Sequence, residues 1–252
     1  MTASARPHRA GARAALAAIF CALALAACAH RAGAGAPLVL LDPGHGPDHP
    51  GAIGVRGTPE VAYNDAFVAV HEPRLERAGF RVEVTRAPGE ELELAGRAAR
   101  AAELGAWLLL SIHHDSAQPA DLARADRDGR PAWRTVRPIR GYSLFVSREN
   151  PRFEASLRVA EALGQRLVAL GRPPTLHHAE PIPGEGRTLL DPRLGVYRYD
   201  ELKVLAAAPC PAVLLEVGVV VDEADEAWVS DPARRAAIAD AVVQALQDIR
   251  GR

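Results

Sequence analysis

Glu216 interrupts the apolar run Ala212-Val213-Leu214-Leu215-Glu216-Val217-Gly218-Val219. A carboxylate there carries a large desolvation cost unless it is paired, bound to a metal or placed at the strand's end. One reading pairs it with an arginine such as Arg86 or Arg97, or turns it to solvent; another sets it against a cation. His113 closes a second apolar run, residues 107–112. A lone histidine there is commonly a hydrogen-bonded core residue, and His114 beside it leaves open which ring turns inward. His45 follows a third apolar run in Asp42-Pro43-Gly44-His45-Gly46, and Glu60 lies in the loop that begins at His45. These residues share a sheet edge if the three runs are neighbouring strands. Two imidazoles and one carboxylate are then the ligand set of a catalytic zinc site with a position left for water, and a further carboxylate can act as base. The spacing is not that of the short His-Glu-x-x-His helix of metalloproteases.

The elements that must position these residues alternate along the chain. Residues 37–41 read as a buried strand, 61–78 as a helix that Pro73 should kink or restart, and 80–85 as a strand. Residues 92–104 form an amphipathic pattern ended by Gly105, and 106–112 an apolar strand running into His113. Residues 116–140 are polar and rich in Arg and Asp, and read as an insertion over the surface. A strand over 141–147 and a helix over 151–170 follow, then a second polar, Gly- and Pro-dense stretch over 172–200. The strand 212–221 and a closing helix 231–249, capped by Ser230 or Asp231, complete the pattern. Such alternation predicts an α/β fold: a single domain with a mainly parallel, mixed twisted sheet and helices on both faces.

The 252 residues, 48% hydrophobic and 24% charged with a formal net charge of -1, suit one soluble α/β domain. There is no excess of Lys and Arg to displace counterions, so no nucleic-acid partner is expected. Arg6, His8, Arg9 and Arg13 precede an uncharged apolar run over 14–27, the layout of a secretory signal rather than a membrane span. The run ends in Leu25-Ala26-Ala27-Cys28, which resembles the lipobox of bacterial lipoproteins. Cys28 is therefore the expected lipidation site, against the plainer reading of cleavage at a nearby small residue. This divides the chain into a signal peptide over 1–27, a linker over 28–36 and a catalytic domain over 37–252. With Cys21 removed and Cys28 acylated, Cys210 remains alone, so no internal disulfide is expected. Set between Pro209 and Pro211, Cys210 reads as a small buried residue, not a nucleophile.

The motifs around the four polar residues are similar to those of the zinc-dependent N-acetylmuramoyl-L-alanine amidases of bacterial cell-wall turnover, the family called amidase type 3. Leu41-Asp42-Pro43-Gly44-His45-Gly46, Pro50-Gly51-Ala52-Ile53-Gly54, Gly57 and Glu60 resemble its first motif. Val84-Thr85-Arg86 and Arg97 resemble its second strand and following helix. Ser111-Ile112-His113 resembles its second histidine motif, and residues 211–218 its final glutamate strand. The resemblance runs from about residue 37 to the C-terminus. It implies that His45, Glu60 and His113 bind Zn2+, and it selects His113 over His114. Glu216 would take a proton from the attacking water and return it to the departing alanine nitrogen.

The implied substrate is the peptidoglycan amide between N-acetylmuramic acid and L-alanine, in an extended groove, with an activator protein as a further partner. The implied location is the periplasm, with a lipid anchor in the membrane; Ala29 after Cys28 favours the outer one. Pro47 and His114-Asp115 depart from the commonest family pattern. His49 and Arg187 are candidate substrate-binding residues, although His49 reads more readily as a solvated loop residue. The segment 177–199 either lines the cleft for the stem peptide or packs over the sheet. The 116–140 insertion either regulates access, with Asp121, Asp126 or Asp128 reaching toward the metal, or is a plain surface loop. Two rival functions stand beside the amidase: a non-catalytic peptidoglycan-binding lipoprotein, and another metal-dependent hydrolase such as a deacetylase.

Overall fold

The computed structural model describes residues 35–127 and 129–251. Cys28, the leader and most of the linker lie outside the described residues, as does Asp128. Seven strands form one sheet in the order β2-β1-β3-β9-β6-β8-β7. These are β1 (Leu38–Pro43), β2 (Arg81–Val84), β3 (Leu108–Asp115), β6 (Ser143–Val146), β7 (Thr188–Asp191), β8 (Val196–Arg198) and β9 (Ala212–Val219). The pairs β1–β2, β1–β3, β3–β9 and β6–β8 are parallel, whereas β6–β9 and β7–β8 are antiparallel, so the sheet is mixed as expected.

The helices are α1 (Glu60–Arg77), α2 (Leu94–Leu104), α3 (Phe153–Ala169), α4 (Lys203–Ala207), α5 (Glu223–Ser230) and α6 (Pro232–Arg250). Alternate residues of one strand serve opposite faces. Val39 and Leu41 pack with Phe67 of α1, Leu163 of α3 and Val242 of α6, while Leu40 packs with Ala101 of α2 and Leu205 of α4. The central strands are therefore buried on both sides, which is why they read as unbroken apolar runs. Among the described residues no helix is long and apolar enough to cross a membrane.

Several expectations need correction. Of the kink or restart expected at Pro73, helix α1 shows no restart and runs through it as one 18-residue element. Phe67, Val68 and His71 before the proline and Leu75 after it are all buried, so packing holds both sides against the sheet despite the missing N–H. Glu60 is the first residue of α1 rather than part of the preceding loop. The 116–140 insertion is ordered: a short turn over Pro119–Asp121 leads into a hairpin of β4 (Leu122–Arg127) and β5 (Arg130–Thr135). The stretch 172–200 supplies two strands of the main sheet, β8 anchored by the fully buried Tyr197. Asp231, rather than Ser230, caps α6 by accepting from the amides of Ala233 and Arg234.

The β3–β9 register slips where the site begins. His113 faces Glu216, but Asp115 faces Val219, so β9 carries one extra residue. The backbone groups freed by the slip must find other partners. The buried ion pair Arg172–Asp225 supplies them: Asp225 Oδ2 accepts from the Val219 amide at 2.8 Å, and Arg172 Nη2 donates to the Val217 carbonyl at 3.0 Å. A Cβ at Gly218 would lie 2.5 Å from that Arg172 nitrogen, so glycine makes room for the pair.

Candidate metal centre

His45 stands just past the end of β1 in a left-handed backbone conformation, with φ 68°. A non-glycine residue seldom sits there unless its surroundings hold it. They do: Arg86 Nε and Arg97 Nη2 both donate to the His45 carbonyl, at 2.7 and 2.6 Å. Arg97 is fixed in turn by the buried carboxylate of Asp42 at 2.8 Å, and Asp42 also accepts from Thr85 and Ser111, each at 2.7 Å. The two arginines that the alternative reading paired with Glu216 are therefore engaged elsewhere, Arg86 also pairing with Asp65. The His45 Nδ1–H donates to the His49 carbonyl at 3.1 Å, which fixes the tautomer and leaves Nε2 facing the cluster.

Glu60 joins the two histidines. Its Oε2 lies 3.0 Å from His45 Nε2 and its Oε1 lies 3.0 Å from His113 Nδ1. Backbone amides of Ala52 and His114 also donate to this carboxylate. Burial alone would raise the Glu60 pKa, but the hydrogen bonds from His113 and His45 outweigh it and hold the group well below the usual carboxylate range. The donor atoms of His45, Glu60 and His113 all lie within 4.8 Å of one another. His113 rests against Gly44, where a Cβ would come within 2.2 Å of its ring. His114, one position along β3, turns to the opposite face and is buried against Tyr63 and Phe67, its Nδ1 2.8 Å from Asn64 Oδ1. Its ring takes no part in the cluster, and burial pushes its pKa down to about 3.

Glu216 lies beside His113 in the sheet register, and its Oε2 is buried with no hydrogen-bond partner among the described residues. Burial, reinforced by the charges of Asp115 and Glu60, pushes its pKa well above the usual carboxylate range. An orphaned carboxyl oxygen next to two imidazoles and a carboxylate is what a site built around a cation would show. The donor set fits a divalent metal, and it borders a cleft of about 330 Å³ lined by Gly44, His45, His49, Leu94, His113 and Val204. A larger hollow of about 490 Å³ beside β2, lined by residues such as Asp65 and Glu90, contains neither histidine.

The other predicted residues are placed as follows. The ring of His49 is exposed at the rim of the cleft, and its backbone carbonyl is what serves His45. Arg187 is stacked 4.0 Å over the ring of Tyr199 and does not line this cleft. Asp121 pairs with Arg137 at 2.7 Å and Asp126 accepts from the Gly129 amide in the β4–β5 turn, so neither carboxylate is directed at the cluster. Cys210 is buried and free, and burial pushes its thiol pKa up, in keeping with a packing role. Sequence reasoning did not find the role of Asp42, whose only signal was its position before Pro43. Nor did it find His177 and His178, buried against Asp115; the adjacent histidine pair was their signal.

No curated protein matches the chain. Solved structures similar to it include N-acetylmuramoyl-L-alanine amidases. The catalytic domain of the amidase CwlV from Bacillus (Paenibacillus) polymyxa var. colistinus is 24% identical, with a TM-score of 0.64, covering 85% of this chain and 98% of that one. Ami1 from Mycobacterium smegmatis is 22% identical, with a TM-score of 0.66 and coverage of 85% and 97%. The CwlD amidase from Clostridioides difficile, solved in complex with the GerS lipoprotein, is 19% identical, with a TM-score of 0.64 and coverage of 85% and 98%. At these identities the likeness establishes the fold. The family profile described as N-acetylmuramoyl-L-alanine amidase matches residues 39–248, nearly all of the ordered domain. The chain thus belongs to the N-acetylmuramoyl-L-alanine amidase family and is a hydrolase of that class.

Proposed function

We propose that the chain hydrolyses the peptidoglycan amide between N-acetylmuramic acid and L-alanine, with zinc held by His45, Glu60 and His113 and with Glu216 moving the proton. The observation that carries this reading is the Glu216 Oε2, buried beside His113 with no hydrogen-bond partner among the described residues. A bound zinc ion would supply Lewis-acid polarisation of the scissile carbonyl and lower the pKa of a coordinated water toward about 7. Glu216 accepts a proton from the attacking water and delivers it to the alanine nitrogen, because an amine leaves readily and an amide anion does not. Its carboxylate form, disfavoured by burial, is favoured once a cation stands beside it. His45 is kept in its binding tautomer by the His49 carbonyl, and the cleft beside it would receive the glycan strand with its peptide. No covalent intermediate is required.

The test compares zinc content and hydrolysis of purified peptidoglycan for five variants checked for folding by circular dichroism. Glu216→Gln should lose about 10²-fold or more in turnover and keep all its zinc. His45→Ala, Glu60→Ala and His113→Ala should each lose one equivalent of zinc together with activity, and His114→Ala should lose none. Hydrolysis near the parental rate in Glu216→Gln, or zinc lost from His114→Ala but kept by His113→Ala, defeats the assignment. Release of acetate instead of a free N-terminal alanine would mark a deacetylase.

We also infer export and lipid attachment at Cys28, facing the periplasm at the outer membrane. The support is the basic leader, its short apolar run and the Leu25-Ala26-Ala27-Cys28 box. Acyl chains contribute about 0.8 kcal/mol per buried CH₂, so more than one holds firmly. Cys28→Ser should carry no acyl chain and should change membrane retention or leader processing; retention and processing both unchanged would show that no anchor sits there.

A further inference from the structure

Among the described residues, one other group of histidine and carboxylate side chains brings its donor atoms together: Asp115, His177 and His178, within 4.8 Å of one another. It is more enclosed than the first cluster, with side-chain exposures of 10%, 5% and 11%. Asp115 Oδ2 lies 2.8 Å from His178 Nε2 and 3.4 Å from His177 Nε2. The outer nitrogens of both rings are tied back: the His178 Nδ1–H donates to Glu185 Oε2 at 3.0 Å, and His177 Nδ1 lies 2.9 Å from Thr175 Oγ1. Glu185 is itself held by Gln118 Nε2 at 2.8 Å.

Hydrogen bonding alone accounts for both ring nitrogens of His178, set between Asp115 and Glu185, but it leaves one atom over. His177 Nε2 is buried without a hydrogen-bond partner, although it lies 3.4 Å from the carboxylate oxygen that His178 Nε2 also faces. A buried polar atom left unsatisfied costs about 1–3 kcal/mol. As a ligand atom it would be satisfied.

We propose that Asp115, His177 and His178 form a second divalent-metal site, distinct from that of His45, Glu60 and His113. Two imidazole nitrogens and one carboxylate oxygen select a zinc-like ion over calcium or magnesium. The nitrogen-to-oxygen separations of 2.8 and 3.4 Å bracket the edge of about 3.3 Å of a tetrahedron with bonds of about 2.05 Å. Outer-nitrogen partners such as Thr175 and Glu185 are what ligating histidines require to hold their tautomer and orientation. Access runs through a surface cleft of about 410 Å³ lined by Arg137, Thr175, His177 and Glu180. Arg137 does not repel a cation there, because Asp121 and Glu180 pair with it at 2.7 and 2.6 Å.

The ion would fasten the segment after β6 and α3 to the end of β3, two residues beyond His113. That segment already leans on the same place: the Arg187 amide donates to the His178 carbonyl at 2.7 Å, and Gln118 Nε2 donates to the Gly184 carbonyl. The second ion is thus a clasp that holds residues 177–187 against the strand carrying the first cluster.

The test is metal stoichiometry of the metal-free full chain titrated with zinc, read by elemental analysis after removal of free metal. The parent should bind two equivalents, His177→Ala and His45→Ala one each, and the double variant none. Cobalt added to His45→Ala should give the visible bands of a tetrahedral N,O site, and these should vanish in the double variant. Zinc should slow tryptic cleavage after Arg187 in His45→Ala and leave it unchanged in the double variant. A parent that binds one equivalent, or a His45→Ala variant without cobalt bands, would establish a metal-free imidazolium–carboxylate clasp and overturn the proposal. The parental count depends on no variant folding. Failure of the amidase reading looks different: two equivalents bound and no alanine released.

Discussion

The two histidine–carboxylate clusters differ less in donors than in enclosure and support. His45 and His113 keep 28% and 20% of their side chains exposed, whereas His177 and His178 keep 5% and 11%. The first cluster draws its donors from a strand end, the first residue of a long helix and the last turn of a buried strand. The second takes two of three from a single-turn segment, His177–Ala179. Sites that do chemistry keep a side open to water and substrate, and sites that hold structure are closed. By that measure the first cluster is built to react and the second to fasten.

The sharpest way to break the comparison is to disturb one cluster and watch the other. Gly44→Ala places a Cβ 2.2 Å from the His113 ring, so the ring or the β1 end must move. A displacement on the order of 1 Å at a reacting group costs about 10²-fold in turnover. Hydrolysis should fall by that factor or more while the zinc equivalent assigned to Asp115, His177 and His178 stays; a parental rate would show that Gly44 does not set the ring. Thr175→Val should act more weakly and in the opposite place. It removes the hydroxyl beside His177 Nδ1, and loss of such an outer partner weakens a metal about 10-fold. Competition with a chromophoric chelator should resolve this as a change in one equivalent only; equal weakening of both would mean the clusters are coupled.

The parallel core was legible because β1, β3 and β9 are covered on both faces and must be apolar throughout, which makes His113 and Glu216 conspicuous where those runs end or break. The choice between His113 and His114 was not readable from the runs. Successive strand residues face opposite sides, and only pairing with Glu60 on one side and Asn64 on the other separates them. Arg86 and Arg97 entered as family-like residues and as partners only in the alternative reading of Glu216; their hold on the His45 carbonyl was not readable, since nothing in a linear pattern points a guanidinium at a backbone carbonyl. Strands β7 and β8 escaped notice because they are four and three residues long and lie in a Gly- and Pro-rich stretch. The second cluster spans about sixty residues of sequence, and the adjacent pairs His114-Asp115 and His177-His178 do not reveal that they meet.

The left-handed backbone of His45 has a consequence in time rather than in shape. Its carbonyl is gripped by two arginines, its ring by the His49 carbonyl, and all of these contacts are made by protein alone. Ordering a backbone residue costs about 1–2 kcal/mol, and here that cost falls on the folding of the sheet before any ion arrives. Under the proposed zinc reading, the ordering of His45 would therefore belong to folding rather than to ion binding.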